Sequence, residues 1–149
     1  IVDKPISRMK ALIMGERLDR VPVNMFISTY AAYISNISSY EYYMNPQKAY
    51  EAQMWAKHLH QYDGGPSYNL PGWAGWDFGG IIEIPKSPKI TLNKIVKEVV
   101  QNSKDAEKLK APNPREAVAS KKIFEFNKIS VKNGFGAVVY AGSPMRILD

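Results

Sequence analysis

The 149-residue sequence contains no cysteine. Disulfide bonds and thiolate metal sites are therefore excluded within this chain. No apolar run approaches the roughly 20 residues that a membrane-spanning helix needs, and no basic start leads into an apolar run of the signal-peptide kind. These absences predict a cytoplasmic protein without a membrane partner.

Acidic residues are scarce in one part of the chain. Residues 86–132 carry twelve Lys or Arg and five Asp or Glu, a net charge of +7, whereas residues 1–85 carry a net charge of −1. A basic region can bind nucleic acid or an anionic ligand. Because this region lacks the clustered arginines and aromatic residues of nucleic-acid-binding modules, we interpret it as solvated surface and expect no nucleic-acid partner.

Residues 62–80 have the most unusual composition. They include six glycines, two prolines, two tryptophans, two tyrosines and a phenylalanine. Such a composition suits neither a helix interior nor a regular strand. It predicts a shaped loop that brings large aromatic side chains together, and loops on a rigid scaffold often carry ligand contacts.

Hydrophobic spacing and capping signals predict six helices before residue 134. Their predicted ranges are 5–16, 29–36, 38–43, 46–62, 103–109 and 114–133. Glycines predict three of the ends, at Gly15, at Gly64-Gly65 and at Gly134. The inward faces are predicted to carry Ala49, Ala52, Trp55, Ala56 and Leu59 in one long helix, and Ala119, Ile123, Phe126 and Ile129 in the other.

Short apolar runs between the helices predict strands. Residues 21–28, 66–70 and 135–141 are predicted to form parallel strands, and a further helix should begin at Gly142-Ser-Pro144. Residues 78–84 and 94–101 are predicted to form a hairpin, although the second segment also fits a helical pattern. Three parallel strands would leave two open sheet edges. We therefore expect an α/β fold that is the opening portion of a larger barrel.

Several motifs resemble those of a known family. The segment Ala11-Leu-Ile-Met-Gly-Glu-Arg-Leu-Asp-Arg-Val-Pro-Val23 is similar to the opening of the uroporphyrinogen decarboxylase superfamily, which also contains cobalamin-dependent methyltransferases. Trp76–Pro85, Ser103–Leu109 and Pro112–Pro114 follow in the family's order. The resemblance implies a (β/α)₈ TIM barrel, of which residues 1–149 would be an N-terminal fragment of the single domain, with three parallel strands, helices and a β-hairpin insertion.

The same resemblance points to one branch of the superfamily. Decarboxylases follow their first strand with an Arg-Gln-Ala-Gly-Arg segment that binds the substrate carboxylates, whereas this chain has Ile27–Ala31 without arginine. They also place an aspartate after the second strand, where this chain has Asn69 or Leu70. Because uncharged side chains cannot replace bidentate cations, we expect a corrinoid (methylcobamide)-dependent methyltransferase. Uroporphyrinogen decarboxylase of heme biosynthesis is the alternative.

The methyltransferase branch implies cofactors and partners. The full-length parent would use zinc and a corrinoid, with the zinc ligands in the later half of the barrel and no cofactor held within this chain. Its partner would be a corrinoid protein or a small-molecule methyl donor or acceptor, and the fragment alone should be inactive. A non-catalytic α/β module that forms homo-oligomers through exposed sheet edges remains an alternative of another class.

Candidate binding residues follow the predicted strands, at the edge where barrel enzymes carry their active sites. They are Ser28, Thr29, Tyr30, Tyr68, Asn69 and Ser143. Trp73 and Trp76 join them because an indole can cover a flat corrin ring, although both could instead pin the loop to the barrel.

No catalytic residue and no metal site are assigned. His58 and His60 are two residues apart in a helix and so lie on different faces. Asp63 is predicted to have a structural role. Asp77 and Glu83 are predicted to be solvated charges at the hairpin.

Overall fold

A computed structural model describes residues 5–87, 89–90 and 92–138 of the chain. Its elements, in chain order, are α1 (Pro5–Ile13), α2 (Ser28–Ile34), α3 (Ser39–Met44), α4 (Pro46–His60), α5 (Trp73–Asp77), β1 (Ile81–Glu83), β2 (Lys94–Lys97), α6 (Ser103–Glu107) and α7 (Val118–Lys132). Six of the helices follow the predicted order, whereas α5 lies within the predicted loop of residues 62–80 and was not predicted. The predicted parallel strands do not appear among the described residues.

Glycines end the first and last of these helices, as predicted. Gly15 follows α1 with a φ of +70°, and the next N–H, of Glu16, donates to the carbonyl of Ala11 over 2.9 Å. Gly134 ends α7 in the same way, with a φ of +82°. This left-handed conformation costs glycine little, because it has no Cβ.

The two ends of α4 differ in how well the sequence predicted them. Asn45 caps the first turn by accepting a 3.1 Å hydrogen bond from the N–H of Lys48, as its position before a proline indicates. The helix ends at His60, however, because Gln61 adopts a left-handed conformation with a φ of +53°. The prediction that Gly64-Gly65 would end it was therefore wrong.

Of the last two helices, α6 begins at Ser103 as predicted, but α7 begins later than predicted. The sequence also indicates Ser103 as the cap of α6, and this was wrong, since Asn102 caps the helix and accepts from the N–H of Lys104 over 3.0 Å. The Asn113-Pro114 pair forms a separate turn, and α7 begins only at Val118. At α3 the sequence allows either Ser38 or Ser39 as the cap, and in the structure Ser38 takes this role as part of a reciprocal capping box.

The core lies where α2, α3 and α7 pack around α4. Small alanines on the inner face of α4 allow close approach, and they are Ala49, Ala52 and Ala56, all buried as predicted. Trp55 and Leu59 are instead 53% and 54% exposed, so their predicted inward positions were wrong. In α7 the predicted face is confirmed, since Ala119, Ile123 and Phe126 are buried and Ile129 is partly buried.

The one sheet in the described part of the chain is the predicted hairpin. β1 and β2 pair antiparallel, with Ile82 opposite Ile95 and Glu83 opposite Lys94. Residues 21–27, 66–70 and 135–138 are not strands, so the parallel sheet is not formed among the described residues. Residues 139–141 and the helix predicted from Gly142 lie outside the described residues.

Side-chain amides account for part of this difference. The amide of Gln53 donates to the Ser67 carbonyl over 2.7 Å and accepts from the Ser67 N–H over 2.8 Å. Asn127 makes the same pair of bonds with the backbone of Val138, both of 3.0 Å. A neighbouring strand would need those backbone groups. Both segments are therefore held by a helix side chain where a sheet ladder was predicted.

None of the helices in the described part of the chain combines the length and the apolar character needed to cross a lipid bilayer.

Candidate functional site

Asp63 is the centre of a buried ionic cluster. Its carboxylate accepts from the N–H of Val23 over 2.8 Å, from Arg8 over 3.0 Å and from Arg20 over 2.9 Å. Arg8 also binds Asp19 through two hydrogen bonds of 2.7 Å. The cluster joins α1, the segment that follows it and the end of α4, which fits the structural role predicted for Asp63.

The cluster keeps its charges at neutral pH. Burial acts to raise the pKa of Asp63, but the N–H of Val23 and the guanidinium groups of Arg8 and Arg20 outweigh it and hold the pKa below the ordinary value. Hydrogen bonds from Arg8 likewise hold the pKa of Asp19 below its ordinary value, although partial burial acts to raise it. Both arginines of the cluster are thus committed to carboxylates of this chain.

Three of the predicted site residues meet at Tyr43. The hydroxyl oxygens of Ser28 and Tyr43 lie 3.5 Å apart, and Thr29 also hydrogen-bonds the Tyr43 side chain. Tyr68 donates its hydroxyl hydrogen to the Tyr43 carbonyl. We call these four residues the hydroxyl cluster.

Three members of the hydroxyl cluster, Thr29, Tyr43 and Tyr68, are buried, Ser28 is partly buried, and none of the four is charged. Tyr43 and Tyr68 are each 1% exposed, and the ring of Tyr68 stacks on Phe126 with centroids 5.0 Å apart. Burial raises the pKa of Tyr43, and the hydrogen bonds of Ser28 and Thr29 oppose it. Burial likewise raises the pKa of Tyr68. Both phenols therefore stay neutral at physiological pH.

Ser28 shows the only sign of backbone strain in this cluster. Its φ is +21°, outside the region that residues with a side chain normally adopt. Such conformations persist where the surrounding structure enforces them, and they are frequent at ligand sites. The outlier lies at the start of α2, at the position where the sequence predicts ligand contacts.

Tyr30 and Asn69 lie outside the hydroxyl cluster. The hydroxyl of Tyr30 is 2.8 Å from Nε2 of His60, on the exposed side of α2 and α4. Asn69 is partly buried beside Tyr68 in the chain. Ser143 lies outside the described residues.

Trp73 and Trp76 lie on a single helical turn. They are three residues apart in α5, a spacing that places side chains on one face. Both are partly buried and pack against the core. Gly72, whose φ is +74°, lets the chain enter this turn, and the N–H of Trp73 donates to the Leu70 carbonyl over 3.0 Å.

Asp77 is not the solvated hairpin charge that was predicted. Its two carboxylate oxygens accept from the N–H groups of Ala119 and Ser120, over 2.7 and 2.9 Å, and from the Ser120 hydroxyl. Asp77 thereby caps the N-terminus of α7, where a helix favours negative charge. Glu83 is exposed on β1, as expected.

The segments predicted as parallel strands do border one cavity. This groove of about 630 Å³ is lined by Met25 and Phe26, by Pro66 and Ser67, and by Phe135, together with residues of α1. Neither Trp73 nor Trp76 lines it. The three segments therefore lie around one groove, but they do not pair as strands.

Comparison with known proteins decides the family. A sequence model described as Uroporphyrinogen decarboxylase (URO-D) matches residues 4–147. The chain belongs to the URO-D family. No curated protein and no solved structure matched the chain.

URO-D membership confirms the family resemblance and implies a TIM barrel. The described residues show a mixed helix and sheet structure with a two-stranded sheet and no barrel. The match does not separate the decarboxylases from the methyltransferases. The choice of branch therefore depends on the site residues of this URO-D chain.

Sequence reasoning missed two polar residues that organise the site. The sequence predicted Tyr43 only as the last residue of a helical turn. The signal that was available is its place beside Tyr42 in an aromatic segment that follows the capping Ser38. Gln53 interrupts the alanine face of α4, and a polar side chain on such a face indicates a buried hydrogen-bonding role. It is 2% exposed and donates to the Tyr42 hydroxyl over 2.7 Å.

Proposed function

We propose that this URO-D chain belongs to the corrinoid-dependent methyltransferase branch and forms part of a site for a corrinoid. The observation that carries the proposal is the chemistry of the hydroxyl cluster. It joins Ser28, Thr29, Tyr43 and Tyr68 with aromatic rings and contains no cation. A porphyrinogen with several carboxylates requires cations for recognition.

The arginines of this region support the same branch. Arg8 and Arg20 are bound to Asp63, and Arg8 is bound to Asp19 as well. Removing either guanidinium group to bind a substrate would leave the buried carboxylate of Asp63 with only one of its two cations, which would be destabilising. Neither arginine is thus a substitute for the arginines that the Ile27–Ala31 segment lacks.

Trp73 and Trp76 are the residues that we propose to contact the corrin ring. Their indoles project from one face of α5 and are only partly used in core packing. Large aromatic surfaces bind flat rings through area and stacking. The corrinoid would supply the methyl group, and these side chains would orient the ring and exclude water from it.

The described residues do not fit a zinc site. Within the described residues, no three His, Asp or Glu side chains are grouped so that they could hold a metal ion. Cysteine is absent from the whole sequence. We therefore assign no step to zinc in this chain.

A binding titration tests the proposal directly. Methylcobalamin should quench the tryptophan fluorescence of the chain, and uroporphyrinogen should bind more weakly. Trp73→Phe and Trp76→Phe should each weaken methylcobalamin binding by about tenfold, because each removes roughly 1–2 kcal/mol of ring contact. Trp55→Phe is the matched control, since Trp55 is exposed on α4. The affinity of this variant for methylcobalamin should equal that of the wild-type chain.

An activity assay separates the two branches. Because the chain alone should be inactive, the full-length protein would be incubated with methylcobalamin and a thiol and checked for the methylated thiol. It would also be incubated with uroporphyrinogen and checked for released carbon dioxide. Preferential binding of uroporphyrinogen, or its decarboxylation, would refute the methyltransferase assignment and support the alternative, uroporphyrinogen decarboxylase.

A non-catalytic, self-associating module is the second candidate, and one observation favours it. Four apolar side chains around the 630 Å³ groove and its neighbouring segment are strongly exposed. They are Ile13 at 81%, Met14 at 66%, Val21 at 83% and Phe26 at 62%. A second copy of the chain could cover them. Light scattering after size-exclusion chromatography decides this, because a monomer at all concentrations is incompatible with it.

A further inference from the structure

The hairpin of β1 and β2 carries an exposed sheet edge. All four residues of β2, Lys94–Lys97, are exposed, and within the described residues β1 is its sole strand partner. In a two-stranded sheet each strand directs about half of its N–H and C=O groups away from its partner. Such an edge can take up an additional strand.

A β-bulge gives this edge a charged face. Glu83 pairs with Lys94 and Ile82 with Ile95, but Ile81 pairs with Lys97, so one extra residue is accommodated in β2. Because side chains alternate along paired positions, the bulge places Lys94 and Lys97 on the same face. Ile95 lies on the opposite face with Ile82, which packs against the core.

The hairpin is fixed to the body of the protein. Asn93 donates to the Pro71 carbonyl over 2.7 Å, immediately before β2 begins. Ser39, fully buried at the start of α3, donates to the Ile90 carbonyl over 2.8 Å. A preformed edge loses little conformational entropy when it binds. The backbone of β2 therefore does not have to become ordered before it can bind a partner strand.

The charge of the hairpin selects among partners. Residues 83–98 hold four lysines and two glutamates, and residues 86–132 as a whole carry +7. The sequence Lys-Ile-Val-Lys of β2 is symmetric, so antiparallel pairing with the β2 of a second copy would put lysine against lysine. Like charges directly opposite each other destabilise a strand pair, whereas opposite charges stabilise it.

We propose that the free edge of β2 binds an extended, acidic segment of a partner protein by strand addition. Acidic side chains of that segment would meet Lys94 and Lys97 on one face, and its apolar side chains would extend the face of Ile95. This interaction lies beyond the proposed methyl transfer and does not depend on it.

A designed peptide tests the proposal on the whole chain. The probe is a peptide of about eight residues, a typical strand length, in which Glu alternates with Val, and the comparison peptide has Lys in place of Glu. The Glu peptide should bind and slow amide hydrogen exchange within Lys94–Lys97, and its affinity should fall as salt is added. The Lys peptide should not bind.

Charge reversal provides the decisive control. The double variant Lys94→Glu/Lys97→Glu should bind the Glu peptide at least about tenfold more weakly and should now bind the Lys peptide, because two attractive pairs become repulsive. Lys121→Glu/Lys128→Glu makes the same charge change on α7 and should keep the original preference.

Three results would overturn the proposal. They are the absence of Glu-peptide binding, binding without protection of the β2 amides, and equal effects of the two double variants. Anionic phosphatidylserine vesicles are tested in parallel, and recruitment to vesicles without peptide binding would assign the surface to lipid instead.

Discussion

The carboxylate of Asp77 accepts a 2.7 Å hydrogen bond from the backbone N–H of Ala119, 42 residues further along the chain. This contact fixes the aromatic loop against the N-terminus of α7. It also explains why α7 begins at Val118, since Ala117 has no capping side chain of its own. The side chain that starts this helix therefore comes from a distant part of the sequence.

Replacing Asp77 should loosen the attachment of the loop. Asp77→Ala leaves the N–H groups of Ala119 and Ser120 without their acceptor, and loss of a helix cap costs about 1 kcal/mol. Thermal unfolding followed by circular dichroism measures this loss. Glu83→Ala removes an exposed charge of the same hairpin region and should change stability by less than about 0.5 kcal/mol. Equal stability of the two variants would contradict the capping role.

Replacing Asp63 should be more damaging. Asp63→Asn keeps the shape of the side chain but removes the charge that Arg8 and Arg20 bind, and breaking a buried ion pair costs about 3 kcal/mol. The free energy of unfolding in urea measures the effect. Asp19→Asn, at the more exposed partner of Arg8, should cost less. The reverse order of the two variants would show that Asp63 is not the centre of the cluster.

Three carboxylates with lowered pKa values predict how stability depends on pH. The pKa values of Asp63 and Asp19 are below their ordinary values. A hydrogen bond from Lys48, and to a smaller extent those from Ser38, lower the pKa of Glu41 to about 2. Groups with a lowered folded-state pKa stabilise the protein above their unfolded values, near pH 4. Stability should therefore fall as the pH decreases from about 4.5 toward 2.

Urea midpoints measured across this range check the pH prediction. Asp63→Asn should show a shallower decrease than the wild-type chain, because one of the responsible carboxylates is gone. A midpoint that does not change between pH 5 and pH 2 would be incompatible with the lowered pKa values.

Gln53 should matter more than its position in a helix suggests. Gln53→Leu keeps the helix propensity and leaves the Ser67 backbone and the Tyr42 hydroxyl without their partner, at a cost of about 2–3 kcal/mol. Gln47→Leu on the exposed side of α4 is the control and should be nearly neutral. Chemical denaturation of both variants gives the comparison, and similar losses would show that the buried amide bonds are unimportant.

Local signals predicted the helices of this chain well. Gly15, Ser38, Asn45 and Gly134 end or begin helices as expected, because each acts through backbone conformation or hydrogen bonds within one turn. The hairpin was predicted too, since its two segments are close in sequence. The start of α7 was predicted wrongly because a distant side chain, that of Asp77, caps this helix. The left-handed Gln61 and the exposed Trp55 were also predicted wrongly.

The candidate site was only partly accessible from sequence. Ser28, Thr29 and Tyr68 were named beforehand, and the structure brings them together at Tyr43, which was not. Their convergence depends on how α2 and α3 pack on α4, and no periodicity records that packing. Tyr30 lies with His60 instead, although it directly follows Thr29, because successive helix residues face different directions.

The sequence by itself determined the URO-D family, the absence of cysteine chemistry and most helix ends, because these depend on residue identity and on contacts within a single turn. Only the tertiary structure decided that Asp77 caps α7 and that Gln53 and Asn127 hold the extended segments in place of a sheet ladder. These choices depend on which polar groups meet across the core, since a buried backbone group takes whichever partner the packing brings to it.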